Sequence, residues 1–168
     1  VDSPFEEIFE LIKTMNEPNV SPEDIVEKYG KASSGSVDNR VENSQLVLLS
    51  YKLTGRKGVV NMHLRSAGGG MELSTVSVTF FQNAGESITK TVDDYRSLIP
   101  QSKREGMEIK QAIAELGMPK SIYAHKTLKK QVDFFSISYP TKEKMSVSLF
   151  FYEVNGLYRL KSMMTSTV

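Results

Sequence analysis

The chain's two imidazoles, His63 and His125, are the first places to look for catalytic bases or metal ligands. His63 lies in Asn61-Met62-His63-Leu64-Arg65, on the polar side of an alternating stretch, with no acidic residue two positions away to orient its ring. That is the pattern of a solvated or interface histidine. His125 lies in Tyr123-Ala124-His125-Lys126, read as part of a basic loop. Neither histidine belongs to an HxH or HExxH pair that would bring two imidazoles to one metal ion. The chain has no Cys, which removes thiolate nucleophiles, thiolate metal sites and disulfides together. Gly68-Gly69-Gly70 would bind phosphate only if it led into a helix whose free N–H groups met the anion, and its flanking patterns are both strands. Ser136, Ser138, Ser146 and Ser148 alternate with apolar residues and lack the sharp turn of a GxSxG nucleophile. Glu6-Glu7, Glu23-Asp24 and Asp93-Asp94 stand near helix starts, where carboxylates relieve unpaired N–H groups. The expectation is a non-enzymatic protein with no catalytic residue, metal or cofactor.

The elements that position these residues follow from periodicity. With 168 residues, 39% apolar and 24% charged, the chain fits a soluble globular protein of one compact domain or two small ones. Ser3-Pro4-Phe5-Glu6 and Ser21-Pro22-Glu23-Asp24 each combine an N-cap hydroxyl, a proline that needs no N–H and an acidic third position, so each predicts a helix start. Gly30 would end the second helix in the left-handed region. Val92, Tyr95, Leu98 and Ile99 predict a helix that stops before Pro100, and Met107, Ile109, Ala112, Ile113 and Leu116 predict another closed by Gly117-Met118-Pro119. After each helical pair the period changes to two. The inward sets are Val47, Leu49, Tyr51 and Leu53, then Val60, Met62 and Leu64, then Val76, Val78 and Phe80; in the second half they are Phe135, Ile137 and Tyr139, then Met145, Val147, Leu149 and Phe151, then Tyr158, Leu160 and Met164. Residues 31–44 and 120–130 read as polar connections, and Asn155-Gly156 as a tight hairpin turn.

The same pattern occurs twice. A shift of 87 residues carries Ile25, Val26, Tyr29 and Gly30 onto Ala112, Ile113, Leu116 and Gly117, and shifts of 88 and 85 superpose the first two strands of each half. This predicts an α+β fold in which two tandem helix-helix-three-strand antiparallel units form one two-layer sheet with helices on one face. Their expected boundaries are 1–82 and 91–168, with 83–90 as linker.

The segment Gly106-Met107-Glu108-Ile109 through Leu116-Gly117-Met118-Pro119 resembles the helix that opens bacterial beta-lactamase-inhibitor-protein-like (BLIP-like) modules and the related small outer-membrane lipoprotein (SmpA/OmlA) modules. Val20 to Ala32 is a weaker copy, without a proline after its glycine, and the chain lacks the disulfide common in the inhibitor-type proteins. The resemblance implies a tandem pair with a concave open sheet face that grips a partner, in a secreted or lipoprotein setting. It places the chain outside the cell or in the envelope, with membrane association only through an anchor beyond this sequence. The sequence opens with Val1 and an acidic stretch rather than a signal-peptide pattern, and has no run of ~18 apolar residues.

The outward strand positions are Asn61, His63 and Arg65, then Thr75, Ser77, Thr79 and Phe81, then Phe134, Ser136 and Ser138, then Ser146, Ser148, Phe150 and Tyr152, and finally Arg159 and Lys161. Small hydroxyls with interspersed aromatics make a shallow floor with contact anchors. Candidate partner-binding residues are therefore Phe81, Phe134, Phe150, Tyr152, His63, Arg65, Arg159 and Lys161. Charge is uneven: residues 1–30 hold eight acids and two lysines, while 119–130 hold Lys120, Lys126, Lys129 and Lys130 with no acid. A net charge of +1 and an arginine-free basic stretch argue against nucleic acid. The expected partner is a protein or cell-envelope component. A small-ligand or enzymatic α+β cone, and an assembly component of a secretion or conjugation apparatus, are the alternatives.

Overall fold

A computed structural model describes residues 10, 13–17, 19–38, 45–52, 58–67, 70–80, 88–100, 106–126 and 132–167. Eight strands form one antiparallel sheet in chain order: β1 (Ser34–Asp38), β2 (Leu46–Lys52), β3 (Gly58–Ala67), β4 (Gly70–Phe80), β5 (Ser121–Lys126), β6 (Val132–Pro140), β7 (Met145–Val154) and β8 (Leu157–Thr167). The described helices are α1 (Pro22–Tyr29), α2 (Val92–Arg96) and α3 (Ile109–Leu116), with residues 13–15 also helical.

This overturns the tandem helix-helix-three-strand arrangement with a helical layer on one face. The stretches read as polar connections contain two further strands, β1 and β5. In β1 the sequence Ser-Gly-Ser-Val-Asp has one apolar side chain, Val37, which is 56% exposed; backbone pairing with β2, from Ser34↔Ser50 to Asp38↔Leu46, holds the strand. In β5 the inward positions are Ile122, Ala124 and Lys126, so a lysine interrupts the apolar alternation. The helices are also short. Eight residues span only ~12 Å, the width of two or three strands, so the eight-stranded sheet rather than a helical layer dominates the fold.

The helix ends follow their sequence signals. Ser21 Oγ accepts from the Asp24 N–H at 3.2 Å while the Asp24 carboxylate accepts from the Ser21 N–H at 2.9 Å, and Thr91 and Asp94 repeat the exchange at 3.2 and 2.8 Å. Those backbone hydrogen bonds hold both carboxyls below the usual aspartate range. Gly30 and Gly117 end α1 and α3 with φ 82° at each. Their ψ values, −166° and −164°, lie outside the left-handed helical well expected from the sequence, in a region that only glycine visits readily. The Tyr51 hydroxyl donates to the Gly30 carbonyl at 2.9 Å, and the Tyr139 hydroxyl to the Gly117 carbonyl at 2.8 Å. Burial raises both phenols above their ordinary value.

The chain divides into two compact units, Val1–Val78 with Ala124–Asp133, and Thr79–Tyr123 with Phe134–Val168. The first packs Met15, Val20, Ile25, Val47, Leu49, Met62, Leu64 and Val76, while Val26, next to Ile25 in α1, is 41% exposed. Its core also contains Lys126, only 1% exposed. The Lys126 ammonium donates to the Met15 carbonyl at 2.8 Å and lies 3.2 Å from Glu72, whose other oxygen accepts from Arg65 Nε at 2.6 Å; Arg65 also donates to the Lys126 carbonyl at 2.9 Å. Burial raises the Glu72 carboxyl, but hydrogen bonds and charge from Arg65 and Lys126 outweigh it and hold the group below its ordinary value of 4.5.

The second unit packs Phe135, Ile137, Val147, Leu149, Phe151 and Leu160 on one side of β6–β8, with Tyr95 of α2 stacked on Tyr139 at 5.4 Å. Asn155 and Gly156, at φ 52° and 83°, make the two-residue β7–β8 turn. Across β7 and β8, Phe151 pairs with Leu160 but Phe150 pairs with Ser162, leaving Lys161 as an extra residue in β8. This bulge shifts the phase of all that follows. Met163 therefore pairs with buried Leu149, and Met164, expected inside, is 65% exposed.

Glu72→Gln should cost about 3–5 kcal/mol in urea melts, because it strands a buried ammonium, and Lys126→Met should cost less because it removes that charge; the reverse order would disprove the network. Because folding lowers the Glu72 carboxyl, its stabilisation should be complete above the unfolded value and fade as pH falls through the folded one, a loss that Glu72→Gln should lack. Separately, Leu149→Ala should cost ~2–5 kcal/mol and Ser148→Ala roughly 1 kcal/mol or less; equal losses would mean that the faces of β7 are misassigned.

Candidate functional site

With Phe135, Ile137, Leu149 and Phe151 buried, the two-residue period turns Phe134, Ser136, Ser138, Ser148, Phe150 and Tyr152 to the opposite side of β6 and β7. The register places Phe134 opposite Tyr152, Ser136 opposite Phe150 and Ser138 opposite Ser148. Phe134 becomes the hub of a ring cluster. Its centroid lies 5.8 Å from Phe150, 6.1 Å from Tyr152 and 6.1 Å from Tyr123 of β5, with interplanar angles of 51°, 39° and 38°. These separations are those of interacting aromatic pairs. The rings are only half-shielded, and Tyr123 is 38% exposed. Beside them Ser138 and Ser148 hydrogen-bond through their hydroxyls at 3.0 Å.

Cations flank the rings on β8. The ammonium of exposed Lys161, the bulge residue, lies 5.7 Å from the Tyr152 ring centroid, within cation–π range. Arg159, opposite Tyr152, donates to the Gly106 carbonyl at 3.1 Å. Here the strand edge meets the chain ahead of α3: Glu108 bridges to Arg159, and the Leu160 N–H donates to the Met107 carbonyl at 2.9 Å. Gly106 packs so closely that an added Cβ would lie 1.9 Å from the Leu160 carbonyl oxygen, which explains the glycine at that position.

The remaining candidates belong to the first unit or lie outside the described residues. Phe81 is outside them. His63, opposite Leu48 in β3, is half-buried, and Asn61 accepts from the Ser50 hydroxyl at 2.6 Å. The Arg65 guanidinium is engaged by Glu72 and the Lys126 carbonyl. His125 lies in strand β5 rather than a basic loop, with Nδ1 2.9 Å from the Thr75 hydroxyl. The basic-loop reading fails at Lys126 too, since that ammonium is buried; Lys129 and Lys130 fall outside the described residues. Among the described residues no three His, Asp or Glu side chains gather as a metal site, and no helix is long and apolar enough to cross a membrane. Tyr123 is the ring that sequence reading left out of the face. The alternation Ile122-Tyr123-Ala124 is the signal that could have found it.

Phe150 and Phe151 are adjacent but face opposite ways, so truncating them should separate binding from folding. Phe151→Ala should cost ~3–5 kcal/mol as a core truncation, and Phe150→Ala roughly 1 kcal/mol from lost ring contacts. Similar denaturation midpoints for the two variants would mean that the Phe150 side is also core. No protein-family model, curated protein or solved structure matches this chain.

Proposed function

We propose that this protein is a non-enzymatic binding protein of the bacterial envelope or extracellular space, recognising a protein or envelope component through the outward side of β6–β8. The supporting observation is the ring cluster of Tyr123, Phe134, Phe150 and Tyr152, held half-exposed on a sheet whose other side is packed. Aromatics in this position present large rigid contact area at low entropic cost, the property of interface anchors. Ser136, opposite Phe150, is itself buried, while the small Ser138 and Ser148 beside the rings add little bulk to the face. Resemblance of the Gly106–Pro119 segment to BLIP-like modules motivates the extracytoplasmic setting and a protein partner.

The test is a pull-down from envelope extracts with wild type and a Phe150→Ala/Tyr152→Ala double variant of matched thermal stability. Loss of a specific band, with affinity reduced by ~1–3 kcal/mol per anchor in a follow-up titration, is the expected result. Retention of every specific band by a folded double variant would reject this face.

A further inference from the structure

Resting on that reading, we infer that the occupant of the β6–β8 face is an acidic polypeptide determinant, an apolar side chain flanked by carboxylates, and that Lys161 reads the charge. From Phe134 to Ser138 on β6 and from Ser146 to Tyr152 on β7, the outward positions carry rings and serines and no acidic side chain. The half-buried Arg159 guanidinium donates to the Gly106 carbonyl, and the exposed ammonium seen against a ring of the cluster is that of Lys161. A bulge re-aims the residue it inserts, and here it brings that ammonium over Tyr152. A partner carboxylate placed there would meet a cation already held next to the apolar contact. Ring geometry favours a side chain over a sugar. Interplanar angles of 38–51° between Phe134 and its neighbours give a flat saccharide no coplanar platform across two rings, whereas an apolar side chain needs none.

The probes are two blocked tripeptides, acetyl-Asp-Phe-Asp-amide and acetyl-Lys-Phe-Lys-amide, titrated into isotope-labelled protein at low ionic strength and followed by amide chemical shifts. The acidic peptide should move the amides of Phe134, Phe150, Tyr152 and Lys161 and bind up to about fivefold more tightly than the basic one. Lys161→Gln should abolish that preference and Lys161→Arg should restore it, while Phe150→Ala/Tyr152→Ala should weaken both peptides. Equal affinities in the wild type, or a preference for the basic peptide, would overturn the charge inference and leave the binding face standing. Failure of both peptides to move these amides would overturn the face itself. Phosphatidylglycerol vesicles provide a third arm: binding that depends on Lys161 but is indifferent to the ring substitutions would point to a lipid surface and refute a polypeptide occupant.

Discussion

Phe135 on β6 lies directly opposite Phe151 on β7, both fully buried, and the rest of the proposed site follows from that pair. A strand cannot turn two consecutive side chains the same way without a bulge. Burying these two rings therefore commits Phe134, Phe150 and Tyr152 to the other side, where among the described residues they remain half-buried. Slipping the register by one residue would exchange the sets and bury serines in place of Ile137 and Leu149. Apolar burial at ~25 cal/mol per Å² makes that exchange far costlier than any contact the outward rings make with each other.

The two units solve the problem of an inward polar position differently. In the first, Lys126 takes a core position on β5, and its charge is met by Glu72, itself held by Arg65, and by the Met15 carbonyl. This ties a helical segment near the start of the chain to strands β3, β4 and β5, and it specifies their arrangement in a way that an apolar contact would not. It also turns Arg65 from a candidate recognition residue into structural support. In the second, the bulge at Lys161 turns Ser162, which strict alternation from Leu160 would put inside, to a place opposite outward Phe150, and lets Met163 replace Met164 on the packed side.

Much of this was legible because the period-two signal is strong wherever one strand face is packed. The six strands from Val47 to Leu160 that carry the apolar rows lie where their alternation put them, and the Ser21 cap closes as its motif required. β1 was invisible because its stability comes from backbone pairing, which leaves little trace in the side chains of Ser-Gly-Ser-Val-Asp. β5 was hidden by Lys126, since a buried lysine is identified only by partners far away in sequence. Met164 was misplaced because a bulge alters phase without changing composition. Phe134, Phe150 and Tyr152 were readable from alternation alone, and Tyr123 could have been from Ile122-Tyr123-Ala124, whereas the roles of Arg65 and Lys161 depended on neighbours that only the folded chain supplies.

The most direct measurement of whether the ring side of β7 is a binding face is thiol accessibility, since the chain has no native Cys to confuse it. Ser148→Cys should react with a maleimide in the folded protein and become protected when an envelope fraction containing the partner is added, while Val147→Cys, one residue away, should react only on unfolding. A Ser148→Cys thiol as slow to react as Val147→Cys in the native protein, or one whose labelling no envelope fraction changes, would contradict the account.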